Sequence, residues 1–158
     1  MWVRFITERV APAAALLGNR AHLAPRLSGS ERETTDAAIA KVPSQDLRAR
    51  WEATRDNRFV DAQITDSEGK VKLGVQRTEA QLGDKDWILG DFSIADLETY
   101  AWLAGMADLL PEAFADAPKT QAWLERVKAR PSVQKALATA SGDPRKSWAP
   151  GPEINRWG

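Results

Sequence analysis

Apolar residues recur along most of the chain at steps of three and four residues, whereas runs that alternate apolar and polar residues are almost absent. The first spacing is typical of helices and the second of strands, so we predict an all-α helical bundle. The first helix is predicted from about Trp2 to Leu23. We expect it to kink near Glu8, because the ring of Pro12 clashes with the carbonyl four residues before it. Its apolar stripe consists of Trp2, Phe5, Ile6, Val10, Ala13 and Leu17.

Two shorter helices are predicted between residues 28 and 55. Ser28 or Ser30 begins the first of them, because Ser30 and Glu33 have the spacing of a capping box. Residues 42–44 interrupt the helical pattern, and a second helix then runs to Arg55.

Residues 58–82 are predicted to form one long helix rather than two. Gly69 and Gly74 weaken its middle, since each costs about 1 kcal/mol relative to alanine in a helix interior. Residues 83–86 end this helix, and residues 87–90 form a short apolar connector.

Residues 92–97 carry the sharpest local signal in the sequence. Ser93 and Asp96 are placed to form a capping box, with Phe92 and Leu97 as its hydrophobic staple. We therefore predict that a central, largely buried helix begins at Ile94 and runs to about Leu109. Losing such a cap costs about 1 kcal/mol or somewhat more. The same pair is not interpreted as catalytic, because no base is spaced to meet it.

The pattern of residues 116–158 predicts two more helices and a tail. Asp116 is expected to cap a helix whose inward face carries Trp123, Leu124 and Val127. Pro131 opens another helix through Leu137. We divide the chain into a helical domain, residues 1–140, and an irregular tail, residues 141–158, in which Trp148 and Trp157 are expected to pack.

Composition narrows the classes of function. The 158 residues include 22 Lys and Arg against 22 Asp and Glu, so nucleic acid and membrane surfaces are not expected partners. There is no cysteine and one histidine, His22, so we expect no metal site and a cytoplasmic location. The apolar run from Val10 to Gly18 is barely long enough for the core of a secretory signal, and Glu8 lies in the region that would have to be basic, so we do not interpret it as one.

The sequence resembles the C-terminal helical domain of cytosolic glutathione S-transferases. The resemblance covers about residues 2–140 and rests on residues 87–97, on Trp123-Leu124-Glu125-Arg126 and on residues 129–133. Residues 2–8 with 17–18, and residues 42–48 leading to 55–59, are also similar to the bacterial β-etherase type, whose members cleave lignin-derived aryl ethers with glutathione.

The resemblance implies a preceding thioredoxin-like domain that binds glutathione and activates its thiol. Nothing in this sequence corresponds to that domain, so we expect the chain alone neither to bind glutathione nor to conjugate it. The expected partner is a thioredoxin-like domain or a second subunit, in a homo- or heterodimer. By position, Trp2, Phe5 and Arg9 are candidates for the wall that contacts an aromatic electrophile. Alternatively, Trp2 and Phe5 are apolar residues that a neighbouring domain covers.

No catalytic residue is assigned from the sequence. Tyr100, the single tyrosine, lies mid-helix and is expected to be a core phenol rather than the family's catalytic tyrosine. Two other functions stay open: a non-catalytic helical interaction module, and a protein that holds a hydrophobic ligand in an exposed apolar groove.

Overall fold

The first helix, α1, is continuous over residues 2–27 and contains two wider π turns. The computed structural model describes residues 1–29 and 32–150. The π turns span Ile6–Val10 and Asn19–Leu23, and each ends one residue before the pair Ala11-Pro12 or Ala24-Pro25. Proline lacks the amide hydrogen of a regular turn and its ring crowds the preceding carbonyl, and a π turn relieves that crowding. The predicted disturbance near Glu8 is therefore a π turn, and the helix continues past Leu23 to Leu27.

The next three helices are α2, Arg32–Ala40, α3, Gln45–Arg55, and α4, Asp61–Leu82. The capping box predicted at Ser30 lies outside the described residues. Ser44 caps α3 by accepting a hydrogen bond from the Leu47 amide. The single long helix is confirmed, and Gly83 ends it with φ of 53°.

At Gly74, α4 packs closely against Val10 of α1. A Cβ atom at this position would lie 2.9 Å from Cγ2 of Val10, closer than carbon atoms pack. The glycine that weakens the helix in the sequence pattern is thus required by helix packing.

The central helix, α5, covers Ile94–Leu103 and is shorter than predicted. After a turn at Ala104 and Gly105 the chain forms two short helices, α6, Met106–Leu109, and α7, Pro111–Phe114. Glycine favours such an interruption, and a Cβ at Gly105 would lie 2.8 Å from the carbonyl oxygen of Arg145 in the tail.

Helices α8, Pro118–Lys128, and α9, Pro131–Leu137, complete the bundle. The predicted cap at Asp116 is wrong, because Ala117 occupies the cap position and has no side chain for this role. Instead the carboxylate of Glu79 on α4 accepts hydrogen bonds from the amides of Lys119, at 3.2 Å, and Thr120, at 2.7 Å. Trp123, Leu124 and Val127 are buried as predicted.

The described part of the tail, residues 141–150, packs against the bundle. Trp148 lies on Gly18, where any side chain would collide with the indole, and its ring centroid is 6.3 Å from that of Trp102. Arg145 tethers the tail to α6 through a 2.7 Å ion pair with Asp108. The packing expected of Trp148 is confirmed, and Trp157 lies outside the described residues.

Residues 1–29 and 32–150 contain no strand beyond one isolated bridge between Leu89 and Asp91. Within the same residues, none of the helices combines the length and apolar character needed to cross a membrane. Likewise, no cluster of His, Asp and Glu suited to a metal ion occurs in this part of the chain.

Candidate functional site

Asp96 joins three parts of the fold through one buried carboxylate. Its Oδ2 accepts from the Ser93 amide at 3.0 Å, which is half of the capping box that opens α5. Its Oδ1 accepts from the Ile88 amide at 3.1 Å and from Nε1 of Trp123 at 2.9 Å. The side chain is fully buried. Both carboxylate oxygens are occupied by N–H donors of the fold itself. The role of Ser93 and Asp96 is therefore to hold the helices together.

Phe92, the first member of the predicted staple, packs against other residues. Its ring lies edge-on to Trp87, with centroids 5.0 Å apart, and beneath the Arg130 guanidinium at 3.6 Å. Leu97, the second member, is 39% exposed. The staple contact between them stays a prediction.

Trp2 and Phe5 lie together, half-buried, at the start of α1. Their rings meet edge to face with centroids 6.0 Å apart. Nε1 of Trp2 donates to Oγ1 of Thr99 at 2.9 Å, which fixes the indole against α5. The guanidinium of Arg77 on α4 lies 4.4 Å from the centroid of the Phe5 ring. We call these three side chains, Trp2, Phe5 and Arg77, the aromatic face.

The sequence placed Arg9 beside the two aromatic residues, and the structure adds Arg77. Arg9 is exposed one turn after Phe5 on α1, whereas Arg77 approaches from the neighbouring helix. The sequence carried no signal for Arg77, because its position depends on how α4 aligns with α1. That alignment is set where Gly74 meets Val10.

A separate apolar groove of about 620 Å³ lies between α5, α9 and the tail. None of Trp2, Phe5 and Arg9 lines it. Tyr100 borders it and is half-buried rather than enclosed in the core. Burial raises the pKa of Tyr100, and the carboxylate of Glu125 adds to the effect. The groove is lined by Ala15, Leu97, Tyr100, Ala101, Trp102, Ala104, Gly105, Ser132, Val133, Ala136, Leu137, Pro144, Arg145, Ser147, Trp148 and Ala149.

The described residues form an all-helical bundle with a capping box at the start of its central helix. This is the architecture of the C-terminal helical domain of glutathione S-transferases. A family model described as "Glutathione S-transferase, C-terminal domain" matches residues 49–131. The chain belongs to this family.

Two comparisons with individual proteins agree with this assignment. The chain is 25% identical over 146 residues to "Protein LigF" of Sphingobium sp. (strain NBRC 103272 / SYK-6), a match that covers 85% of this chain. The crystal structure of the β-etherase LigF from Sphingobium sp. strain SYK-6 matches 88% of this chain, with a TM-score of 0.74 and 22% identity. The chain spans 55% of LigF in the sequence match and 60% of it in the structural match.

Proposed function

We propose that this chain is the electrophile-binding helical half of a glutathione-dependent enzyme that acts on aromatic ethers or other aromatic electrophiles. A thioredoxin-like half, in the same polypeptide or in a partner subunit, supplies the activated glutathione thiol. Dimerisation and a cytoplasmic location, where thiols are kept reduced, belong to the same proposal. The observation that carries it is the aromatic face, in which the half-buried Phe5 ring is held between Trp2 and the Arg77 guanidinium.

The aromatic face suits a flat aromatic substrate that releases an anion. In cleavage of an aryl ether, the glutathione thiolate forms a carbon–sulfur bond while the carbon–oxygen bond breaks, and the aryl oxygen leaves with the electron pair as a phenolate. The accessible parts of the half-buried Trp2 and Phe5 rings provide a surface for contact with an aromatic ring. In this proposal the guanidinium of Arg77 stabilises negative charge on the leaving oxygen, and Arg9, exposed one turn after Phe5, is a second candidate cation.

Thiol activation falls to the thioredoxin-like half. Glutathione carries two carboxylates that need cationic or backbone donors, and its thiol needs a donor that lowers its pKa. In this proposal Arg77 of the aromatic face, and Arg9 near it on α1, serve the aromatic substrate rather than glutathione. We therefore expect no saturable conjugation of glutathione to electrophiles by the purified 158-residue chain.

The test is a fusion that joins the thioredoxin-like domain of a glutathione transferase ahead of Met1. We expect glutathione-dependent cleavage of a β-aryl ether by the fusion. Arg77→Met should lower kcat/KM about tenfold through loss of leaving-group stabilisation. Lys72→Met, at an exposed lysine on the same helix, is the matched control and should leave kcat/KM unchanged. Turnover by the chain alone, or an Arg77→Met fusion as active as its parent, would contradict the proposal.

A second candidate function is the binding of a hydrophobic ligand or a protein without catalysis. The apolar groove favours it, since its volume lies in the range of small-molecule sites. Calorimetric titration of the chain with an uncharged two-ring aromatic compound tests the ligand case. Binding that Leu97→Glu abolishes and that does not require glutathione would favour this function.

A further inference from the structure

Two arginines and two aromatic rings meet at the connector that precedes α5. The guanidinium of Arg130, the residue before α9, lies 3.6 Å from the centroid of the Phe92 ring and 5.3 Å from that of Trp87. The guanidinium of Arg126, near the end of α8, lies 5.8 Å from the centroid of the same Trp87 ring. We call these four side chains the cationic cluster. None of them lines the apolar groove.

Arg130 has hydrogen-bond donors that no described residue accepts. Its Nε is buried and has no partner. Its terminal nitrogens also form no hydrogen bond or ion pair with the described residues, and the side chain as a whole is half-buried. A buried donor without an acceptor costs free energy, and native proteins usually satisfy it with ordered water or an ion. Arg130 therefore marks a place for a partner from solution.

Elsewhere the chain provides counterions for a partly buried arginine. Arg55, whose side chain is 16% exposed, pairs with Asp36 at 2.6 Å and with Asp56 at 2.9 Å.

The carboxylate at the cationic cluster does not serve Arg130 in this way. Asp86 contacts Arg126, whose guanidinium donates to the Asp86 carbonyl at 2.8 Å and lies 3.4 Å from its carboxylate. The side chain of Asp86 is 74% exposed. Two guanidiniums therefore share one exposed carboxylate, and the charge of Arg130 is left unmatched.

A guanidinium held on aromatic rings is prepared to bind an oxyanion. The N–H bonds of a guanidinium lie in its plane, so rings that cover its face leave its edge available to a ligand. Two parallel N–H bonds then reach two oxygens of a phosphate or carboxylate. Because the rings already restrict the side chain, less freedom is lost on binding. A doubly charged phosphate suits two guanidiniums better than a singly charged carboxylate does.

We infer that the cationic cluster binds the phosphate group of a small molecule. One phosphate oxygen accepts from Nε of Arg130 and another accepts from a terminal nitrogen, so the buried donor gains its partner. Arg126 is the second cation. Since Arg130 directly precedes α9 and Phe92 directly precedes the capping box at Ser93, the ligand joins α9 to the start of α5. This inference is independent of the proposed function.

Nitrogen-15 NMR of the arginine Nε–H groups tests the site in the unaltered chain. Inorganic phosphate is added at about pH 7.5, where it is largely dianionic, and sodium chloride keeps the ionic strength constant. We expect the Nε–H resonance of Arg130 to shift to saturation with a Kd of about 1 mM. Acetate should bind about tenfold more weakly. Arg145 is the internal control, because its Nε already donates to Asp143 at 3.1 Å and should not respond.

Two variants separate a bidentate site from general attraction of anions. Arg130→Lys keeps the charge but removes Nε and the fork of donors, so it should raise the Kd for phosphate about tenfold or more. Lys135→Met removes a charge at an exposed position on α9 and should leave the Kd within about twofold of the parent. In both variants the Kd is read from the backbone amide shift of Phe92 and from the rise in melting temperature with phosphate.

An Arg130 resonance that does not move, or that moves without saturation, would overturn the inference. Equal weakening by Arg130→Lys and Lys135→Met would also overturn it, since the attraction would then be diffuse. Acetate that binds as tightly as phosphate would remove the assignment to a phosphate group. If Arg130→Lys does not fold, the titration of the parent chain with Arg145 as internal control decides.

Discussion

Replacing Asp96 with alanine should destabilise the bundle far more than loss of an ordinary helix cap. The carboxylate accepts from three N–H groups, on Ile88, Ser93 and Trp123, which belong to the connector, the start of α5 and the middle of α8. The sequence alone indicates the Ser93 contact and a cost of about 1 kcal/mol. The two other donors are visible only in the folded structure.

The magnitude follows from the donors left without an acceptor. Ile88 and Trp123 are fully buried, so water does not readily replace the carboxylate. A buried donor without a partner costs about 1–3 kcal/mol, so Ile88 and Trp123 together account for about 2–6 kcal/mol. Loss of the half-buried Ser93 cap adds about 1 kcal/mol, which gives a total of about 3–7 kcal/mol. A domain of this kind has about 5–15 kcal/mol of total stability. The melting temperature should fall by roughly 10–20 °C.

Chemical denaturation followed by circular dichroism measures this loss as a free energy of unfolding. Ser93→Ala, which removes only the hydroxyl, should cost about 1 kcal/mol. Combining it with Asp96→Ala should cost less than the sum, because the two side chains share hydrogen bonds. A double-mutant cycle of Asp96→Ala with Trp123→Phe should likewise give a clear coupling energy. An Asp96→Ala loss below about 1 kcal/mol, or strict additivity in both cycles, would refute the reasoning.

Three further outcomes are expected. Gly18→Leu should push Trp148 off its seat and expose residues 141–150 to limited proteolysis, while Gly69→Leu, where no atom lies within 4 Å, should not. The single phenol, Tyr100, should ionise with a pKa above the ordinary value of 10.0 in an ultraviolet absorbance titration. Because the folded state favours the neutral phenol, stability should fall as pH rises from 10.0 through the higher folded-state pKa. A titration midpoint of Tyr100 at or below pH 10.0 would contradict this prediction. Glu79→Gln should lower the melting temperature by about 2–4 °C, as expected for a weakened helix cap, and an unchanged value would exclude the capping role.

The parts of the fold that the sequence predicted depend on neighbours close in sequence. The box formed by Ser93 and Asp96 needs only one turn of helix, and Gly83 ends α4 through its own backbone freedom. The long helix was predicted despite Gly69 because apolar positions resume with the same period after it. Local spacing was sufficient evidence in each case.

The parts that were missed depend on contacts between distant segments. Glu79 caps α8 although it lies 41 positions before Thr120, whose amide it accepts from. Arg77 on α4 contacts the ring of Phe5 on α1. The end of α5 at Leu103 accompanies packing of the tail on Gly105. The groove likewise forms only when α5, α9 and the tail come together. No periodicity within one helix encodes such positions.

The two π turns of α1 act as one-residue insertions that the helix absorbs locally. An α-helix rotates by about 100° per residue, so an extra residue in a regular helix would turn all later side chains to another face. The first π turn takes up that rotation between Phe5 and Val10, so Phe5 keeps its contact with Arg77 and Val10 keeps its contact with Gly74. A related helix that lacks Pro12 should therefore be one residue shorter between these two positions, without any change in the faces it presents.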